Sequence, residues 1–178
     1  NGDHGIDNNA SPYNTIVGNT IHGNGTSGIN FEGEIGFGSH HATVANNISA
    51  GNGLTPPVGS FGGNLRFDSN SIAGTTLDYD LLDRQTAAVQ IIWNNSNYVS
   101  LAAFHVAEPG QEVHGLEGAP LFVAPVASVL RVSGEAYPSS TTTGDYHLSP
   151  GSPAIDSANS DAPSEQLTDI EGNARIDD

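Results

Sequence analysis

Gly5-Ile6-Asp7-Asn8 returns as Gly28-Ile29-Asn30-Phe31 and, more loosely, as Asn64-Leu65-Arg66-Phe67. A second element recurs between these copies: Val17-Gly18-Asn19-Thr20-Ile21, Val44-Ala45-Asn46-Asn47-Ile48 and Leu77-Asp78-Tyr79-Asp80-Leu81, each apolar at its first and fifth positions. The step from first element to second is 11, 15 and 12 residues, so the order is kept while the loops vary. Gly23-Asn24-Gly25 and Gly51-Asn52-Gly53 trail the first two copies. Short apolar segments, punctuated by Gly and Asn and returning after 23 to 36 residues, describe the coils of a solenoid. Apolar spacing is mostly two or four, with no helical period, as expected where side chains alternate in and out of a narrow core. Gly and Asn at the corners tolerate left-handed backbone. The spacing places Asn19 and Asn46 at one point of successive coils, where their amides would stack in a ladder. A β-sandwich with Asn-rich hairpins is the competing architecture.

The rest of the composition narrows the function. The chain has 178 residues, four cations (Arg66, Arg84, Arg131, Arg175) against 20 acids, and a net charge of −16. There is no Lys, Cys or Met, which excludes a Schiff-base lysine, a cysteine nucleophile, a thiolate metal site and a disulfide framework. So acidic a surface argues against nucleic acid and anionic membranes, since phosphate binding needs clustered cations. No apolar run approaches the ~18 residues of a membrane span. The opening Asn1-Gly2-Asp3-His4-Gly5 reads as the start of a processed chain or of a piece of a longer one, with no leader visible.

The second half changes character. Val89 to Trp93 and Ala119 to Val123 read as strands, and Ser100 to Phe104 as a short helix with Ser100 its N-cap. Ser139 to Gly144 is a polar loop, and an acidic, turn-rich stretch closes the chain. Coils with peripheral loops are expected over 1–135, and a tail packing on them over 136–178, within one domain.

Leu77-Asp78-Tyr79-Asp80-Leu81, Leu101-Ala102-Ala103-Phe104 and Gly110-Gln111-Glu112-Val113-His114-Gly115 resemble the C-terminal part of secreted right-handed parallel β-helix proteins of the pectin-lyase-like superfamily. Ala119-Pro120-Leu121-Phe122, the run from Asp145 to Asp156, and Asp169-Ile170-Glu171-Gly172-Asn173-Ala174-Arg175 are similar as well. The resemblance implies an all-β, right-handed parallel β-helix, an extracellular or cell-surface location and a polysaccharide partner. Its members include lyases, hydrolases, epimerases and non-catalytic surface proteins, so it marks architecture and not a reaction. Relatives generally carry more N-terminal coils and a capping helix. An uncapped end exposes core and strand edges, so self-association or a missing N-terminal segment is expected to cover it.

Chemistry is expected where the first elements stack. With Ile6, Ile29 and Leu65 inward, Asp7, Asn30 and Arg66 form one outward column, and Asn9, Glu32 and Asp68 a second. Arg66, Glu32, Asp68 and Asp7 are the candidate catalytic residues. Two mechanisms suit them. In a pectate-lyase-like one, Asp7, Glu32 and Asp68 hold calcium against a uronate while Arg66 takes the α-proton. In a polygalacturonase-like one, carboxylates on adjacent coils act as general acid and base. A solvated face with an incidental ion pair is the third reading. Asn30, His40, His41 and Trp93 are candidate substrate-binding residues, the histidines in the glycine-rich loop Glu34 to His41 and Trp93 as a sugar-stacking ring. Asp78, Asp80 and Asp83 form a weaker cation option, and Glu112 and His114 read as structural. No cofactor other than calcium is suggested. The function expected is carbohydrate-active, a polysaccharide lyase or glycoside hydrolase; a non-catalytic module for glycan binding or surface display is the alternative.

Overall fold

The computed structural model describes residues 3–54, 62–85, 89–127 and 143–175. Three parallel sheets run up its length. Sheet A holds β1 (Ile6–Asn9), β4 (Ile29–Glu32), β7 (Leu65–Phe67) and β10 (Ile91–Trp93), closed by antiparallel β11 (Ser96–Tyr98). Sheet B holds β2 (Thr15–Val17), β5 (Thr43–Ala45) and β8 (Thr76–Asp78); sheet C holds β3 (Thr20–His22), β6 (Ile48–Ala50), β9 (Leu81–Asp83) and β12 (Leu116–Glu117). The first three coils each contribute one strand to each sheet in turn, and the fourth contributes β10 to sheet A and β12 to sheet C. The chain is a parallel β-helix, as the repeats require.

Register follows the apolar columns. Ile6, Ile29, Leu65 and Ile91 pair in sheet A, and two residues on Phe31, Phe67 and Trp93 pair. All but Ile6 in these columns are essentially buried. Phe31 and Phe67 stack at 4.7 Å, Trp93 lies 5.2 Å from Phe67, and Phe104 meets Trp93 edge-on at 5.9 Å. Phe104 comes from α1 (Leu101–Ala107), whose N-cap Ser100 accepts the Ala103 N–H, as its sequence predicts. The helix lays Leu101 and Phe104 against the core.

Sheet B corrects one register. Ile16, not Val17, pairs with Val44 and Leu77, so Asn47 and not Asn46 faces Asn19. The ladder exists one residue along. Asn19 Nδ2 donates to Asn47 Oδ1 at 3.0 Å, and Asn47 Nδ2 to Asp80 Oδ1 at 2.9 Å. Asn46 instead adopts φ 58°, and its amide donates to Glu165 and to the Asn159 carbonyl. A second relay, buried from Asn24 to Gln90, grows from the Gly-Asn-Gly turns and ends on the exposed Glu117: Asn24 donates to Asn52, Asn52 to Asn64, Asn64 to Gln90, and Gln90 to Glu117. Buried amides must find partners, and stacked coils offer one every rung.

The tail contacts the helix at several points. β13 (Phe122–Ala124) and β14 (Asp145–Leu148) form an antiparallel pair whose Phe122 and Tyr146 rings meet His22 at 5.7 and 5.6 Å. His147 joins Asp145 and Glu171 at 2.5 and 2.7 Å. The expected boundary at 135/136 and most of the polar loop Ser139 to Gly144 lie outside the described residues. Among the described residues no helix is long and apolar enough to cross a membrane.

Candidate functional site

Sheet A register decides where the charged side chains go. Asp7 pairs with Asn30, Asn30 with Arg66 and Arg66 with Ile92, so these form one column on the face away from the aromatic stack. Arg66 Nη1 donates to Asn30 Oδ1 at 2.5 Å and to Glu32 Oε2 at 2.7 Å. Asn30 Nδ2 donates to Asp7 Oδ1 at 2.7 Å, and Asn9 Nδ2 reaches Glu32 Oε1 at 3.5 Å. The amide of Asn30 can be oriented only this way, because the reverse would point its NH₂ at a guanidinium and its oxygen at a carboxylate. Three coils are thereby tied by one relay.

Asp68, just past β7, braces the neighbouring coil. Its Oδ2 accepts the Gly33 N–H at 2.9 Å and its Oδ1 the Asn70 N–H at 3.0 Å, while Asn70 Nδ2 donates to the Gly33 carbonyl at 2.9 Å. Above this clamp projects a tight turn. The Phe37 N–H donates to the Glu34 carbonyl at 2.9 Å, and Gly36 takes φ 83°, a conformation glycine adopts freely. A side chain at Gly33 would collide with the Phe37 carbonyl, and one at Gly38 with the Asn70 carbonyl. The turn is therefore pressed against the residues that anchor it. Between turn and sheet lies a cleft of about 610 Å³, lined by Asn9, Glu32, Glu34, Phe37, Arg66 and Asp68 among others.

The expected site is thus only partly assembled there. Arg66, Glu32 and Asp68 share the cleft. Asp7 joins through Asn30 rather than by lining it. Asn30 is fully buried, held between Asp7 and Arg66, so it can orient Arg66 but cannot meet a substrate. Trp93 faces the other way: its place after Phe31 and Phe67 makes it core, not a sugar platform. His40 and His41 do not line the cleft; their Nδ1 atoms lie 2.7 Å apart and His41 stacks on Tyr13 at 5.0 Å. Among the described residues no three His, Cys, Asp or Glu side chains converge as a metal site. Glu32 is engaged by Arg66 and Asn9, and Asp68 by two backbone N–H groups, so a calcium ion would have to displace these donors.

Asp78, Asp80 and Asp83 do not gather round a cation either. Asp78 bonds His114 Nδ1 at 2.8 Å, while Asp80 ends the Asn19–Asn47 ladder inside the coil. Glu112 follows it, its Oε2 accepting the Asp80 N–H at 3.3 Å. Both carboxyls are fully buried, and Asp80 Oδ2 and Glu112 Oε1 have no hydrogen-bond partner. Burial pushes Asp80 up to about 6 and Glu112 well above the usual carboxylate range, with their mutual repulsion adding to the latter. The sequence places both acids at ladder positions, but only burial reveals that they meet, and the turn residue Phe37 is equally invisible there as a lining group.

No protein-family model, curated protein or solved structure matches the chain.

Proposed function

We propose that this chain is an exported, carbohydrate-active β-helix protein of the pectin-lyase-like kind, one that takes an extracellular polysaccharide across sheet A and cleaves it by hydrolysis. The observation that carries the reading is the cleft in which Glu32, Arg66 and Asp68, from adjacent coils, come together. Elimination asks an arginine to accept a proton, yet Arg66 has its N–H groups donating to Glu32 and Asn30. Hydrolysis asks only for two positioned carboxyls. Glu32 and Asp68 stand on adjacent coils, whose strands are roughly 4.8 Å apart, and both line the cleft. Asp68 is fixed by two backbone donors, Glu32 by Arg66 and Asn9, and the exposed Glu34 adds a third carboxyl at the rim.

One observation favours a non-catalytic glycan-binding module instead. The oxygens of Glu32 and Asp68 all have partners already, as supports would. A polysaccharide panel, read for new reducing ends, for the ultraviolet absorbance of an unsaturated uronate and for retention, with and without calcium, separates the readings. Reducing ends without absorbance support hydrolysis, and absorbance indicates a lyase. Retention alone indicates a binding module. No response to any polysaccharide sinks the proposal.

The same reading includes a partner at one end. β1, β2 and β3 are each the edge strand of their sheet, with unpaired backbone groups that a second copy or a further coil would satisfy.

A further inference from the structure

We infer that the cleft takes an uncharged pyranose ring, stacked on Phe37, and so selects neutral over uronate polysaccharides; the inference rests on the polysaccharide reading above.

Phe37 is 70% exposed and Ile35 91%, on a turn of four residues. Exposed apolar side chains scattered singly need no explanation, but these two differ in one respect. Phe37 lines the cleft and Ile35 does not. A ring held at the mouth of a cleft whose other walls are Asn9, Glu32, Glu34, Arg66 and Asp68 meets both needs of a sugar. The apolar C–H face packs on an aromatic, and the hydroxyls find fixed donors and acceptors. The turn is also built to hold still. Asp68 and Asn70 clamp Gly33 from the next coil, and Gly33 and Gly38 pack too closely for any side chain. A platform ordered before binding loses little freedom when the ligand arrives.

Charge sets the class of sugar. Three carboxylates, Glu32, Glu34 and Asp68, face one guanidinium in the lining, Asp7 stands behind the relay, and the chain bears −16 overall. A uronate would bring a further negative charge into that field. Hydroxyl groups of a neutral sugar instead donate to the carboxylates.

The test is affinity electrophoresis of the full chain through gels containing xylan, a mixed-linkage glucan, a galactan or polygalacturonate. The parent should be retarded by at least one neutral polymer and not by polygalacturonate. Phe37→Ala should weaken that retardation about tenfold, the loss expected for one aromatic stacking contact. Phe37→Trp should preserve it. Ile35→Ala, at a site just as exposed on the same turn, should leave it unchanged. Equal binding by the parent and Phe37→Ala would overturn the inference while leaving the broader reading intact. So would equal losses in Phe37→Ala and Ile35→Ala, or preference for polygalacturonate. A parent that binds no polysaccharide removes both.

Discussion

Replacing Glu112 by glutamine should make the protein's stability fall less steeply with pH between about 4 and 6 than that of the parent, because one of two buried acids that resist ionisation is gone. The buried Asp80 carboxyl holds its proton up to about pH 6 in the folded chain against an ordinary value of 3.8, and burial with the nearby Asp80 holds Glu112 well above its own ordinary value. A folded-state value raised above the unfolded one gives stability that is fully present below the unfolded value and lost as pH rises through the folded one. For Asp80 the window therefore runs from 3.8 to about 6, and the raised Glu112 adds a loss of the same sign. Holding Asp80 at about 6 rather than 3.8 corresponds to roughly 3 kcal/mol lost across that window. The Glu112→Gln side chain keeps the volume of the original. Its amide oxygen can still accept the Asp80 N–H, and it carries no proton to lose. Urea unfolding at constant ionic strength, from pH 4 to 8, reads the difference between the two proteins. Taking that difference removes the general repulsion of so acidic a chain, which both share. Parallel stability curves for parent and variant would show that Glu112 contributes nothing to the pH dependence.

Three further outcomes are expected. Arg66→Ala should lower stability by about 1–3 kcal/mol, measured by thermal or urea unfolding, because it strands the buried Asn30 oxygen; an unchanged midpoint would show that the relay is not structural. Phe67→Ala, at the centre of the ring stack, should destabilise by about 3–5 kcal/mol in the same assay. Asn46→Ala removes the amide that binds Asn159 and Glu165 and places alanine at φ 58°, so limited proteolysis should cut the region after residue 150 faster while the coils survive.

Fold and site are unequally legible in the sequence. The register of sheet A can be read because Ile6, Ile29 and Leu65 are each flanked by glycine or asparagine and polar neighbours, leaving one inward choice. Sheet B differs from its sequence reading by one residue in its first strand because Ile16 and Val17 are both apolar and only the turn geometry separates them. Gly18 and Asn46 take positive φ at equivalent points, which a sequence of adjacent asparagines does not display. Arg66 with Glu32 and Asp68 is readable from alternation alone. That Asn30 is buried is not, since the face away from the core is covered by its own column of side chains. Trp93 looks like a surface ring by type, and its register with Phe67 makes it interior. The exposure of Phe37 depends on a turn held by Asp68 and Asn70 from another coil, a contact between residues more than thirty positions apart.

The two amide relays have a direction. Every amide hands its Nδ2 or Nε2 hydrogen to the residue of a later coil or strand, and both series finish on carboxyl groups, Asp80 with Glu112 in one and Glu117 in the other. In the vocabulary of step-growth polymers an asparagine is a bifunctional monomer, with a donor at one end and an acceptor at the other, so it can be copied from rung to rung without limit. A carboxyl group carries no amide hydrogen to hand on, which makes it the stopper of an amide series. The number of coils threaded by each relay is thus written in the position of its first acid. Exchanging that acid for an amide would reopen the series for one more coil.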